Sequence, residues 1–174
     1  MRIDVWATSV GDVRFLSLLQ KSWRETVGNI NCVDRYEGAQ LRILLDAGFA
    51  PPGFAEMATL WAEAAEIPVV FDHDRKRIND LWCKCVERSG EADICVVLND
   101  DIYLTPGWLN SIVQVLDRNP WIGIVGIPAD GQWHDSFLAR DRWFNDAKMF
   151  YDKHVYQYRD RPVHVECWTS GFCW

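Results

Sequence analysis

Residues 94–128 read ICVVLNDDIYLTPGWLNSIVQVLDRNPWIGIVGIP, and their pattern decides the fold class. Ile94 to Leu98 is a near-continuous apolar run, the kind buried on both faces inside a parallel sheet. Three polar residues, Asn99, Asp100 and Asp101, stop it abruptly. Thr105 then reads as an N-cap and Pro106 as the first helical position, ahead of an apolar stripe of Trp108, Leu109, Ile112, Val113 and Leu116. Trp121 to Ile127 reads as the next strand. A strand, a polar crest, a helix and a further strand make up the repeating unit of an α/β sheet with crossover helices.

The same alternation extends outward on the amino-terminal side. Ile3 to Thr8 predicts a first strand, and Phe15, Leu18, Leu19 and Trp23 predict one side of a helix ending near Gly28. Asn31 to Asp34 is a short second-strand candidate. Ala39 to Ala47 and Phe54 to Ala65 read as helical, separated by Pro51-Pro52-Gly53. Ile67 to Phe71 predicts the third strand, and Ile78, Leu81, Trp82, Cys85 and Val86 predict the helix after it. Beyond Pro128 the pattern weakens into a segment rich in aromatics and charges, with a helix expected from Phe137 to Tyr151 and a last strand from Val163 to Trp168. The expected fold is a Rossmann-like, mostly parallel sheet with helices on both faces, in a single domain spanning residues 1–174.

Composition narrows the function classes. The chain has 174 residues, a net charge of −7, 49% apolar and 25% charged residues, which is the balance of a globular domain rather than a disordered one. Its acidic balance argues against sequence-independent nucleic-acid binding, which needs an excess of Lys and Arg on one face. No run approaches the roughly eighteen apolar residues that read as a membrane span. The six cysteines are sparse for a disulfide scaffold, so a reducing, cytoplasmic setting is the expectation. Cys83 and Cys85, two apart on a helix, point to different faces and make a poor metal pair.

In an open α/β sheet ligands settle outside the carboxyl ends of the strands, which is where Asn99-Asp100-Asp101 falls. Adjacent carboxylates repel, and partial burial raises the penalty. A divalent cation such as Mg²⁺ or Mn²⁺ relieves both, because it takes one or two carboxylates and fills its remaining positions with water and diphosphate oxygens. Alone, the triplet reads equally well as a cap of the following turn.

The triplet does not stand alone. The run from residue 94 to 128 resembles the central segment of glycosyltransferase family 2, with matching residues Leu98 to Asp101, Thr105 to Leu109 and Ile122 to Gly126. Arg77-Ile78-Asn79 resembles the family's helix opening before the metal strand. The resemblance implies an A-type nucleotide-sugar fold and transfer of a sugar, with inversion, from a nucleotide-diphosphate donor to a glycan or other hydroxyl acceptor. It implies Asp101 and Asp100 as ligands of Mn²⁺ or Mg²⁺, and Thr8, Ser9, Asp34, Asn79, Asn99 and Asp100 as donor-binding residues.

Cys167 to Cys173, CWTSGFC, resembles the family's small-residue turn, after which relatives carry their acidic base. By that comparison the chain is C-terminally short, and the base candidates within it are His134, Asp135 and Glu166, with Asp130 beside them. Two rival readings remain: a non-catalytic donor-binding or assembly subunit that lacks the base, and a metal-dependent phosphohydrolase on a similar sheet. Asp72-His73-Asp74 reads either as a metal cluster or as a solvated loop beside Arg75-Lys76-Arg77, whose cations could meet a diphosphate. The aromatics between Trp133 and Tyr158 read either as sheet packing or as an acceptor-stacking surface. A last strand at an open edge makes a homodimer an expectation as well.

Overall fold

A computed structural model describes residues 1–27, 38–74, 77–104 and 106–125. Strands and helices alternate through them: β1 (Ile3–Ser9), α1 (Val13–Thr26), β2 (Ala39–Asp46), α2 (Phe54–Ala65), β3 (Val69–Asp72), α3 (Ile78–Ser89), β4 (Ile94–Asn99) and α4 (Trp108–Arg118). The strands form one parallel, 4-stranded sheet in the order β3-β2-β1-β4. The chain steps from β1 outward to β2 and β3, then crosses back to lay β4 on the other side of β1. That reversal is a topological switch point, the place where doubly wound sheets open a crevice at their carboxyl ends.

Alternation along each strand divides the core into two layers. Ile3, Val5 and Ala7, with Leu41, Ile43, Leu45, Val96 and Leu98, face Leu16, Leu19 and Trp23 of α1, Ala58 of α2, and Trp108, Leu109, Ile112 and Val113 of α4. Trp6, Leu44 and Val97 turn the other way, onto Leu81 and Cys85 of α3. Helices therefore cover both faces, as the sequence predicts. Asp4 is buried on the α3 side, where Arg42 pairs with it at 3.0 Å and Arg2 at 3.4 Å. Without those partners its charge would be costly to hold there.

Three local expectations are corrected. Ala39 to Ala47 is not helical; its residues 39–46 form β2, the strand hydrogen-bonded between β1 and β3. Leu41, Leu44 and Leu45 satisfy a helical spacing, but Leu41, Ile43 and Leu45 satisfy a strand spacing equally well. The pairing with β1 from Ile3↔Ala39 to Ser9↔Leu45 decides between them. Second, residues 121–125 form no strand. Ile122 N–H closes a turn on Asn119 C=O at 2.9 Å, and Trp121 is 78% exposed. A strand needs a partner, and among the described strands none pairs with this run.

Third, α4 begins at Trp108, so Pro106 belongs to the preceding turn and Gly107, at φ 85°, takes the cap position. Only glycine occupies that left-handed region without strain. Thr105, Asn31 to Asp34, the helix expected at 137–151 and the strand at 163–168 lie outside the described residues.

The turn between β4 and α4 is tied back to α1. Tyr103 donates its hydroxyl to Glu25 at 2.7 Å, and Trp108 Nε1 donates to Thr26 Oγ1 at 3.3 Å. Cys83 is exposed and Cys85 buried, as their spacing predicts. Burial pushes the Cys85 thiol up to about 12, which leaves it protonated and unreactive.

Candidate functional site

The switch point between β1 and β4 is built from residues at the two strand ends. Thr8 pairs in register with Asn99, and its hydroxyl donates to Leu98 C=O at 3.3 Å. One residue on, Ser9 Oγ accepts the Gly11 N–H at 2.8 Å and donates to Asp100 Oδ2 at 2.5 Å. A hydroxyl has a single proton, and the amide already uses one of its lone pairs, so that proton is aimed at the carboxyl group. Gly11 makes the turn possible. Its φ is 91°, and a Cβ there would stand 2.9 Å from the Phe54 carbonyl oxygen.

Asp100 carries the electrostatic tension of the site. Burial is the largest influence and drives its carboxyl up to about 7, helped by the charges of Asp101 and Asp12 and opposed by the Ser9 hydrogen bond. Beside it, Asn99 Oδ1 is buried without a hydrogen-bond partner. A buried acceptor left empty is uncommon in a folded protein and marks a place where a donor or a cation is missing. Asp12 caps α1 through Arg14 N–H at 3.0 Å, and the Arg14 guanidinium grips the same carboxylate at 3.0 and 2.8 Å. The switch point thus brings together a carboxyl of raised pKa and a buried amide oxygen without a partner, with the Asp12–Arg14 ion pair at the start of α1.

Thr8, Ser9, Asn99, Asp100 and Asp101 are therefore brought together as expected. Asn79 sits elsewhere, exposed in the first turn of α3, where Asp80 accepts the Arg77 N–H at 3.2 Å. Asp34, Asp130, His134, Asp135 and Glu166 lie outside the described residues. The acid at the carboxyl end of the strand beside β1 is Asp46, only 4% exposed, whose Oδ1 accepts the Phe49 N–H at 3.1 Å. Neither Asp46 nor Gly11-Asp12 is among the sequence-based candidates; for Asp46 the reason is that the spacing of Leu41, Leu44 and Leu45 also fits a helix. The second had a readable signal, an N-cap residue directly before a helical stripe.

Asp72-His73-Asp74 resolves as an ion-pair corner. Asp72 is buried at the end of β3 and pairs with Lys84 of α3, which also reaches Asp74 at 3.6 Å, while His73 stacks on Phe71. Arg75 and Lys76 lie outside the described residues.

Removing the Ser9 hydroxyl tests this wiring. Ser9→Ala strips the Gly11 N–H of its acceptor and Asp100 of its donor, so the carboxyl titrates still higher. A loss of about 1–3 kcal/mol is expected in urea unfolding, and a substitution without effect would show that the bonds do not hold the crevice.

Comparison of the chain with models of known families, with curated proteins and with solved structures finds no match.

Proposed function

We propose that the chain binds a nucleotide-diphosphate sugar through a divalent cation at the β1/β4 switch point and transfers the sugar, with inversion, to a hydroxyl acceptor. The observation that carries this reading is the meeting of Ser9 with Asn99-Asp100-Asp101 at the one place where a doubly wound sheet opens toward a ligand. The resemblance of residues 94–128 to glycosyltransferase family 2 supplies the chemical class, and the acceptor side of the reaction follows from it alone.

The residues fit a hard cation. Asp100 offers a carboxyl that burial keeps partly protonated near neutrality and that a bound cation would ionise, Asp101 an adjacent one, and Asn99 an oxygen without a donor. Among the described residues no group of three or more His, Cys, Asp or Glu is gathered into a closed cage. Magnesium and manganese do not need one, since they keep several waters and share phosphate oxygens with the substrate. When bound, such a cation stabilises the negative charge that builds on the nucleoside diphosphate as the sugar leaves. Of the protein's own groups, Ser9 orients Asp100, and Asp12 fixes the Arg14 guanidinium in an ion pair at the start of α1.

Calorimetric titration of uridine and guanosine diphosphate-sugars, with and without Mn²⁺, tests the proposal. Binding should require the cation, and Asp101→Ala should weaken it at least ~10-fold, which corresponds to about 1.4 kcal/mol. Affinity that ignores both manganese and the substitution removes the reading.

A further inference from the structure

Away from the switch point, β3 is an outer strand of the sheet among the described residues, and a groove of about 380 Å³ lies between it and α2. Its floor is Ile67, leading into the strand, and Val69 and Phe71 of β3, at alternate positions, and its wall is Thr59, Ala62 and Glu63 of α2 with Glu66 at its C-cap. The ladder to β2 fixes the direction of the backbone groups. Ile43 N–H donates to Pro68 C=O at 2.9 Å and Ala47 N–H to Asp72 C=O at 2.8 Å, so Pro68, Val70 and Asp72 turn inward. In a strand the intervening residues turn the opposite way, which leaves the N–H and C=O of Val69 and Phe71 on the side of β3 that no other described strand pairs. An edge of this kind is a template for another strand.

We infer that this edge is a docking site for an extended peptide segment of another protein, one that places an apolar and a Lys or Arg side chain two residues apart. The added strand bonds to Val69 and Phe71 through its backbone, and alternate side chains enter the groove. An apolar side chain is matched by Ala62, Val69 and Phe71, the last of which is 36% exposed. The next side chain on the same face reaches Glu63 and Glu66, both exposed, and this selects a cation. Arg24, the basic residue near the end of α2, is turned to the Ala65 carbonyl on the α1 side. A second copy of this chain is a poor occupant. Pairing two β3 edges about a twofold axis sets the same glutamates against each other, on a chain whose net charge is already −7.

The test uses the whole chain and a fluorescein-labelled peptide alternating Thr with Val, Lys and Val, read by fluorescence polarisation. A control peptide with Glu in place of Lys should bind at least ~10-fold more weakly, and the Glu63→Lys/Glu66→Lys double variant should reverse that order. Val69→Pro, which removes an outward N–H without touching the ladder to β2, should weaken the Lys peptide by a similar factor. If Val69→Pro loosens the fold, the double variant, built on exposed side chains, still decides. Equal affinity for both peptides, or no binding of the Lys peptide at about 1 mM, overturns the proposal. So does a dimer in sedimentation velocity that Val69→Pro makes monomeric, because the occupant is then a second copy.

Discussion

Asp100→Asn is expected to make the free protein more stable near neutrality and, in the same variant, to abolish cation-dependent nucleotide binding. The first half follows from linkage. The carboxyl titrates at about 7 instead of 3.8, so the native state holds a proton that the unfolded chain has already lost across that interval. Stability then falls as pH rises from about 4 to about 7, and above that range the whole penalty of an ionised, poorly solvated carboxylate remains. A full shift of that size carries roughly 4 kcal/mol. Asp100 is only half-buried, so water screens part of it, and a gain of about 2 kcal/mol is the expectation for the variant near pH 8.

Asparagine keeps an oxygen to accept the Ser9 hydroxyl, so the crevice retains its shape, but it offers a cation no charge. Nucleotide-sugar affinity in manganese should drop by at least ~100-fold, or about 2.7 kcal/mol. Urea unfolding near pH 8 and near pH 3, with and without Mn²⁺, reads both effects. The two proteins should converge at the acid end, where Asp100 is protonated in every state, and only the wild type should gain stability from the metal. A variant less stable than wild type at both pH values would mean that the carboxylate is satisfied as it stands, and the case for an exchangeable site would fail. A site destabilised until its ligand arrives is a common arrangement in functional clefts.

How far the sequence discloses this arrangement depends on what each signal encodes. β1, β3 and β4 were legible because a short apolar run bounded by polar residues has few alternatives, and α2 because Pro51-Pro52-Gly53 punctuates its start. The polar crest Asn99-Asp100-Asp101 was legible for the same reason, since three polar residues at the end of a buried strand have to lie at its carboxyl edge. The tie from Ser9 to Asp100 was not. It depends on β1 and β4 being neighbours across a gap of some ninety residues, and strand order is set by packing rather than by local pattern. Trp121 to Ile127 shows the converse failure: residues 121–125 have a strand's composition, yet without a partner among the described strands that composition does not make one.

β2 is the most instructive misreading, and a pair of substitutions measures it. Leu44 and Leu45 are adjacent, both fully buried, and packed into different layers, Leu44 against Leu81 and Cys85 of α3 and Leu45 among the residues facing α1 and α2. On a helix lying against one side of a core, neighbouring residues do not both stay dry along a segment that also buries Leu41 and Ile43. In a strand covered on both faces they all do. Leu44→Ala and Leu45→Ala are each expected to cost about 2–5 kcal/mol. The two cavities open on opposite sides of the sheet and share few side chains, so the costs should nearly add. The double variant then loses roughly what a domain of this size has to lose, and it should be unfolded at room temperature by circular dichroism. If one of the single variants unfolds within about 0.5 kcal/mol of wild type, one side of this segment faces water and its place between β1 and β3 is wrong. That result would also displace Asp46 from the carboxyl edge, because the register that sets Leu45 beside Ser9 is the same one that carries Asp46 to the rim of the crevice.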